Sequence, residues 1–318
     1  MNIATALNKK YLLYTGVMLT SLCQNNKEHI DAFLLHSELE ETDIQFLTSS
    51  LSDYDIDIIP VCMELSKFTG LPTTASWTVE IYYRLLLPEL LPSTVDRIFY
   101  FDVDMIINRS LQELYYSDLG DQDLFVVEDI VSQKKMYDLY TDKQLEKFLP
   151  LLQQGYRYFN SGFMLMNLSL IREKYSYKAY IEAMNEWNYK MGAPDQDILN
   201  WVHREKVTYL PTEYNFFARF AYVDGYNYQY VKENAFVIHF TAEKPWETAS
   251  WHFDTEKLWW DYAKLTPFYS EILEIFLHLS LFDVRLEEQL KNYTEHQQDL
   301  TKKLQQAHSI TQKLLGKI

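Results

Sequence analysis

Short runs of strand-forming apolar residues alternate with stretches of helical spacing along most of the chain. Ile3–Leu7, Ala32–Leu35, Ile56–Val61, Ile98–Phe101, Leu124–Val127, Val207–Leu210 and Phe236–Phe240 have the composition of buried strands. Between them Tyr11–Cys23 repeats apolar residues at helical spacing (Leu12, Val17, Leu19, Leu22), and Glu40–Leu51 is amphipathic with an acidic start that suits the helix dipole. Further helices are predicted over Trp77–Leu87, ending near Pro88, over Tyr137–Leu152 and over Lys178–Lys190. Phe159-Asn160-Ser161-Gly162 has the look of a polar turn running into an apolar strand, and Pro194–Asn200 of a loop entering a short helix. Strand and helix in alternation predict βαβ units, hence an α/β domain on a mostly parallel sheet.

From about Pro267 the pattern changes. Ile272, Leu273, Ile275, Phe276, Leu277, Leu279 and Leu281 make one very apolar helix. Leu286, Leu290, Tyr293, Gln297, Leu300, Leu304, Ala307 and Leu314 then follow a three-and-four spacing, a heptad stripe. With a break near Phe282-Asp283 the tail is expected to be an α-hairpin, so the chain divides into a domain over 1–264 and an appendage over 265–318. Such a hairpin is either a capping element or a docking surface for a protein partner. Its mixed charges (Lys291, Lys302 and Lys303 against Glu287, Glu288 and Glu295) do not favour a helix lying on a membrane.

Composition narrows the class. The 318 residues are 47% hydrophobic and 16% aromatic with only 8 glycines, enough for a sizeable core and against a disordered chain. A net charge of −16 disfavours nucleic acid and anionic lipid as partners. Cys23 and Cys62 both sit in apolar-looking segments and are expected to be reduced, buried thiols. Neither a signal peptide nor about 18 uninterrupted apolar residues occurs, so a cytoplasmic enzyme is expected, with peripheral membrane association compatible.

The candidate chemistry centres on Phe101-Asp102-Val103-Asp104 at the end of a strand. If the extended conformation persists, Asp102 and Asp104 point to the same side, and two hard oxygen donors suit a divalent cation. His239 ends a later strand; it is either a structural histidine or a third ligand, and Mn²⁺ accepts mixed O/N ligation. Arg84 either stacks among Tyr82 and Tyr83 or contacts a phosphate or carboxylate. Lys244 is a surface lysine or a diphosphate contact. Asp195 and Gln196 could bond sugar hydroxyls, with helix capping the alternative for Asp195. Ligands of open parallel sheets sit beyond the carboxyl ends of the strands, where Asn8, Asp102, Asp104 and His239 are all expected.

Five motifs occur in one order: Phe101-Asp102-Val103-Asp104; Phe159-Asn160-Ser161-Gly162; Asp195-Gln196-Asp197-Ile198-Leu199-Asn200; Leu210-Pro211 with Tyr214-Asn215; and His239-Phe240 with Lys244-Pro245-Trp246. In that order the chain resembles glycosyltransferase family 8, over roughly residues 1 to 262. The resemblance implies a GT-A fold with a Rossmann-like sheet and a retaining hexosyltransferase that uses a UDP-hexose and Mn²⁺, galactose ahead of glucose. The acceptor it implies is a glycan on a protein or lipid. It makes Asp102, Asp104 and His239 the metal ligands, with Val103 between them in the donor site. Asn8 and Tyr11 would contact the uridine and Lys244 the diphosphate. Arg84, Asn160, Asp195 and Gln196 would hold the donor sugar, Gln196 nearest the anomeric carbon. Same-face attack, or a covalent intermediate on Asp195 or Gln196, would give retention. A non-catalytic relative partnering another transferase is the alternative. The chain departs from the family at Asn8, where an acid is common, at Lys9-Lys10, and at Phe240-Thr241-Ala242-Glu243, where a glycine is usual.

Overall fold

A computed structural model of the chain describes residues 1–74, 78–129, 142–219, 225–241, 244–247 and 253–281, with Lys291, Thr294, Gln297, Thr301 and Lys303 of the tail. It divides into two compact units, Met1–Ala242 with Phe253–Tyr269, and Glu243–His252 with Ser270–Ile318.

The first unit is built on a seven-stranded sheet: β1 (Asn2–Ala6), β2 (Ile30–His36), β3 (Ile56–Cys62), β4 (Arg97–Phe101), β6 (Leu124–Glu128), β7 (Phe159–Asn167) and β8 (Val207–Leu210), in the order β3-β2-β1-β4-β7-β6-β8. All neighbours run parallel except β7, which is antiparallel to both β4 and β6. A three-stranded sheet carries β5 (Met105–Ile107), β10 (Val237–His239) and β9 (Phe216–Phe217), in the order β5-β10-β9.

Side chains of a strand alternate between the two faces of a sheet, and the core divides by that alternation. Ala4, Phe33, Leu35, Ile98, Tyr100, Val126, Met164 and Met166 join one apolar cluster with residues of the helices Leu168–Lys174, Tyr177–Glu186 and Pro194–His203. Ile3, Leu34, Phe99, Phe101, Val127, Phe163 and Leu165 join the other, with residues of Leu12–Asn25 and Glu41–Ser50. Central strands covered on both faces have no polar side, which is why they appear in the sequence as unbroken apolar runs.

Several expectations shift. The stretch from Val79 is not an α-helix but a 3-10 helix to Leu86, followed by one α-turn, Leu87–Leu90; Trp77 lies outside the described residues. The helix expected to reach Lys190 ends at Glu186, because Asn188 and Tyr189 take positive φ (51° and 56°). Phe159–Gly162 is no turn: these residues are the first of β7. The helix expected to begin beyond Pro194 starts at it, since proline's fixed φ and missing N–H suit a first helical turn. Cys23 is buried as expected, but Cys62 is exposed, because β3 lies at the sheet's edge. Tyr137–Thr141 lie outside the described residues, and the rest of that helix is Asp142–Gln153.

In the second unit the apolar helix of the tail runs to Leu281, with Leu277 and Leu279 exposed. The break at Phe282-Asp283 and most of the heptad stripe lie outside the described residues. Among those described, no helix is long and apolar enough to cross a membrane.

One buried polar group ties the far side of the sheet together. The Asp123 carboxylate accepts from His203 Nδ1 (2.9 Å) and from Lys174 Nζ (3.2 Å), while Tyr180 OH lies 2.9 Å from His203 Nε2. Burial holds the His203 ring below its ordinary pKa against the pull of Asp123, so the ring is neutral, donating from Nδ1 and accepting at Nε2. Burial raises the Asp123 carboxyl, but the bonds from His203 and Lys174 outweigh it and its pKa is lowered. Removing His203 leaves Asp123 and Tyr180 short of a partner in the core. His203→Leu is expected to cost about 3 kcal/mol, measured by urea unfolding at pH 8. The wild type should lose stability as pH falls below about 6.5, because the unfolded histidine takes a proton that the folded one refuses. Asp123 acts lower, its contribution present above about pH 3.9 and lost as pH falls through its folded pKa. The pH 8 to pH 5 loss should be smaller in His203→Leu.

Candidate active site and metal centre

β4 ends at Phe101, and the chain turns at Val103-Asp104 before β5. The two carboxylates therefore do not converge as i and i+2 of one strand. They converge because the turn joins two sheets. The Asp102 N–H bonds the Gly162 carbonyl of β7 (2.8 Å), continuing the β4 ladder, while the Asp104 carbonyl accepts from Phe240 N–H (3.0 Å) beyond β10. β10 runs antiparallel to β5 with His239 opposite Met105, which brings the imidazole beside Asp104. His239, expected at the carboxyl edge of the large sheet, belongs instead to the small one, because β10 pairs with β5 and β9.

Ligand atoms of Asp102, Asp104 and His239 all lie within 4.8 Å of one another. His239 Nε2 is 3.2 Å from Asp104 Oδ1, and both residues are buried. Two carboxylates and an imidazole make a mixed O/N donor set suited to Mn²⁺. The backbone is shaped for them: a Cβ on Gly162 would stand 2.6 Å from Asp102 Oδ2 and 2.7 Å from His239 Cε1, so only glycine lets the ligands close over β7. The residues present fit a divalent cation.

Arg84 holds the cluster from beneath. Its side chain is 5% exposed and its guanidinium lies 4.2 Å from the centre of the Tyr100 ring. Nη2 donates to Asp102 Oδ1 (2.8 Å), Nη1 donates to the Ser161 carbonyl (2.8 Å), and Nε lies 3.3 Å from Asp195 Oδ2. Burial works against the charge, but Asp102 and Asp195 outweigh it and its pKa is raised, so the guanidinium is fully charged. Asp195 behaves oppositely: burial raises its pKa, Asp102 adds to that, and Arg84 only partly offsets it.

Asn160 and Ser161 are aimed by a register shift within the β6–β7 pairing: Val126 pairs with Met164 but Val127 with Asn160. Asn160 Nδ2 and the Ser161 N–H both donate to Gln196 Oε1 (3.1 and 3.0 Å), Gln196 Nε2 donates to Asp129 Oδ2 (3.2 Å), and the Ser161 hydroxyl bonds Asp195 Oδ2 (3.1 Å). The helix carrying Asp195 and Gln196 is fastened in turn by Asn200, which accepts from Phe159 N–H and donates to its carbonyl (2.8 Å each), and by Asp197, which accepts from Tyr158 OH (2.7 Å).

The structure thus brings together Arg84, Asp102, Asp104, Asn160, Asp195, Gln196 and His239. Val103 is the turn residue, packed on the apolar cluster behind it. Asn8 follows β1, the parallel neighbour of β4, and its Oδ1 has no hydrogen-bond donor among the described residues. Tyr11 closes the 3-10 turn after it. Lys244 belongs to the second unit, where its N–H donates to Glu247 Oε2 (3.3 Å). Asp129 and Asn215 join the cluster without having been singled out as site residues. Asp129 follows an apolar strand with no motif around it, whereas Asn215 stands in the Tyr214-Asn215 pair and was legible as part of a motif without a role.

Gly162→Ala should leave the circular dichroism spectrum intact and weaken Mn²⁺ binding by at least about tenfold, read by calorimetry. Asp195→Asn removes one of the two carboxylates that meet the Arg84 charge, but it also removes a carboxyl whose raised folded pKa weakens the fold as it ionises. Its stability relative to wild type should therefore rise as pH goes from 4 to 7, by thermal melts of both proteins.

Residues 2–250 match glycosyl transferase family 8. A lipopolysaccharide 1,3-galactosyltransferase of Salmonella typhimurium is 26% identical over 78% of this chain and 73% of its own. A lipopolysaccharide 1,2-glucosyltransferase of Escherichia coli K12 is 29% identical over 77% and 72%. Across three such relatives, the chain spans between 63% and 73% of their lengths. An active-site mutant of LgtC superimposes with a TM-score of 0.71 at 24% identity, over 84% of this chain and 96% of that one, a likeness of fold. The match over most of the chain, on an LgtC-like α/β architecture with its carboxylates and histidine gathered at one site, makes the protein a member of glycosyltransferase family 8 with the GT-A fold.

Proposed function

We propose that the protein is a retaining hexosyltransferase that moves a hexose from a UDP-hexose to a glycan on a protein or lipid, with Mn²⁺ held by Asp102, Asp104 and His239. The observation that carries this is the convergence of those three side chains within 4.8 Å, directly beside the buried Arg84, Asp195 and Gln196. Galactose stands ahead of glucose as donor sugar, in keeping with the Salmonella typhimurium relative, and the Escherichia coli relative keeps UDP-glucose in the test. In this reading the enzyme is cytoplasmic and meets its acceptor at a membrane surface, in keeping with the lipopolysaccharide transferases it resembles. Residues 1–264 are the catalytic domain in this reading and 265–318 an appendage.

A bound cation would supply Lewis-acid stabilisation of the charge that grows on the UDP leaving group. The chain's own residues do the rest. Asn8 would offer its Oδ1, which has no donor among the described residues, to the N3–H of uracil, with Tyr11 at the end of the 3-10 turn that follows. Arg84 fixes Asp102 from below, so this carboxylate need not reorganise when the donor binds. Asn160, Asp195 and Gln196 present polar atoms held by their neighbours, which orients the sugar by shape and hydrogen bonding. Attack on the same face as departure, or transient capture by Asp195 or Gln196, both preserve the anomeric configuration from this arrangement.

Purified protein with Mn²⁺ should hydrolyse UDP-galactose slowly, and UDP-glucose more slowly, read by UDP release. Asp104→Ala should lower the rate at least about 100-fold while leaving the melting temperature within a few degrees. UDP binding that is absent, or indifferent to Mn²⁺, would instead identify a non-catalytic member of the family.

A further inference from the structure

Hydrogen positions in a network of amides are settled by whichever donors cannot be reversed, and here two backbone N–H groups settle all of them. The Gly162 N–H points at Asn160 Oδ1 (3.0 Å), and the Ser161 N–H at Gln196 Oε1 (3.0 Å). Asn160 is therefore oriented with Oδ1 towards Gly162 and Nδ2 towards Gln196 Oε1. The Asn215 side chain meets that same Asn160 Oδ1 at 2.9 Å, and only its Nδ2 can do so, since the flipped amide would face oxygen with oxygen. Asn215 Oδ1 is then left facing His239 Nδ1 at 3.0 Å as an acceptor. Asn215, Asn160 and His239 are all buried.

We propose that Asn215 is a positioning residue that fixes His239 as the tautomer with its proton on Nδ1, leaving Nε2 as the atom that ligates the cation beside Asp104. The inference rests on the metal reading above. Asn215 is well placed to act this way. It closes the 3-10 turn Thr212–Asn215, and the next two residues form β9, which pairs with β10 so that His239 lies opposite Phe217. The Phe217 ring packs edge-on to the imidazole, with centroids 5.5 Å apart. Ring plane and tautomer are thus set from one side of the histidine, and Nε2 stands 3.2 Å from Asp104 Oδ1 on the other. A second consequence follows from the order of the chain. His239, Asn215, Asn160, Gln196 and Asp129 are linked by consecutive hydrogen bonds, so the ligand's orientation and that of Gln196 are set by the same two backbone N–H groups.

The test is Mn²⁺ titration by calorimetry on the full chain without donor, with pulsed EPR of the bound ion to detect coupling to an imidazole nitrogen. Asn215→Leu keeps the volume and removes the acceptor; its Mn²⁺ affinity should fall about 10–100-fold, with the nitrogen coupling reduced. Asn215→Asp keeps an acceptor opposite Nδ1 but faces Asn160 Oδ1 with an oxygen in place of Nδ2, so it should keep the nitrogen coupling and bind Mn²⁺ more tightly than Asn215→Leu. A merely structural role would make the buried aspartate the worse of the two. An Asn215→Leu protein that folds by circular dichroism and keeps wild-type affinity and coupling overturns the inference alone. If Asn215→Leu does not fold, loss of the nitrogen coupling in a folded Asn215→Asp overturns it. Wild-type protein that takes up no Mn²⁺ overturns the metal reading and the inference with it.

Discussion

A guanidinium buried in the core must have its charge met there, and Arg84 meets it with carboxylates from two separate parts of the fold. Asp102 comes from the end of β4 and Asp195 from the first turn of the helix Pro194–His203. Ser161 of β7 accepts the remaining contact through its carbonyl. One side chain thus determines how the end of the central strand, the antiparallel strand beside it and the helix over it stand relative to one another. The aromatic ring of Tyr100 under the guanidinium completes its surroundings on the strand itself. The same burial leaves Asp195 with a raised pKa, an unfavourable charge held in place by the others. Sites that stabilise a developing charge are commonly built this way, with polar groups fixed in advance.

The side chains proposed to hold the cation are pinned from two sheets. Asp102 continues the ladder of the large sheet, and Asp104 and His239 belong to the start and end of strands in the small one. The turn at Val103-Asp104 is where the two sheets join, so a shift of either would part the ligands. Gly162 lies under the junction, and the lack of a side chain there is as much a part of the site as the ligands are. Phe99, Phe101 and Phe163, with centroids 5.4–5.8 Å apart, pack beneath β4 on the opposite face from Arg84 and resist such a shift.

Period and order carried most of the architecture. The runs that become β1, β2, β3, β4, β6 and β8, and the helices between the first strands, are visible because apolar burial imposes a period of two or of 3.6. Strand direction is not visible: β7, buried on both faces, has the same apolar composition whether parallel or antiparallel, and only its pairing with β4 and β6 shows which. The Phe159–Gly162 segment suggested a turn because Asn, Ser and Gly favour turns. Here they occupy a strand because each meets a specific partner at the site: Gln196, Arg84 and the Asp102 carboxylate. Local propensity gave way to tertiary contacts at the place where the chemistry is.

By itself the sequence determined an α/β chain with a candidate site at Asp102 and Asp104, because strand-forming runs and paired carboxylates are local features. It also singled out His239, Asn160, Asp195 and Gln196 through the order of their motifs, and Arg84 as a cation set among aromatic residues. What it did not contain was the reason those residues meet. Asp102 and Asp104 converge through a turn between two sheets, His239 arrives on a strand distant in sequence, and Asn215 and Asp129 enter only by hydrogen bonding. Such contacts depend on distances between segments that no local pattern encodes, so only the folded chain decides them.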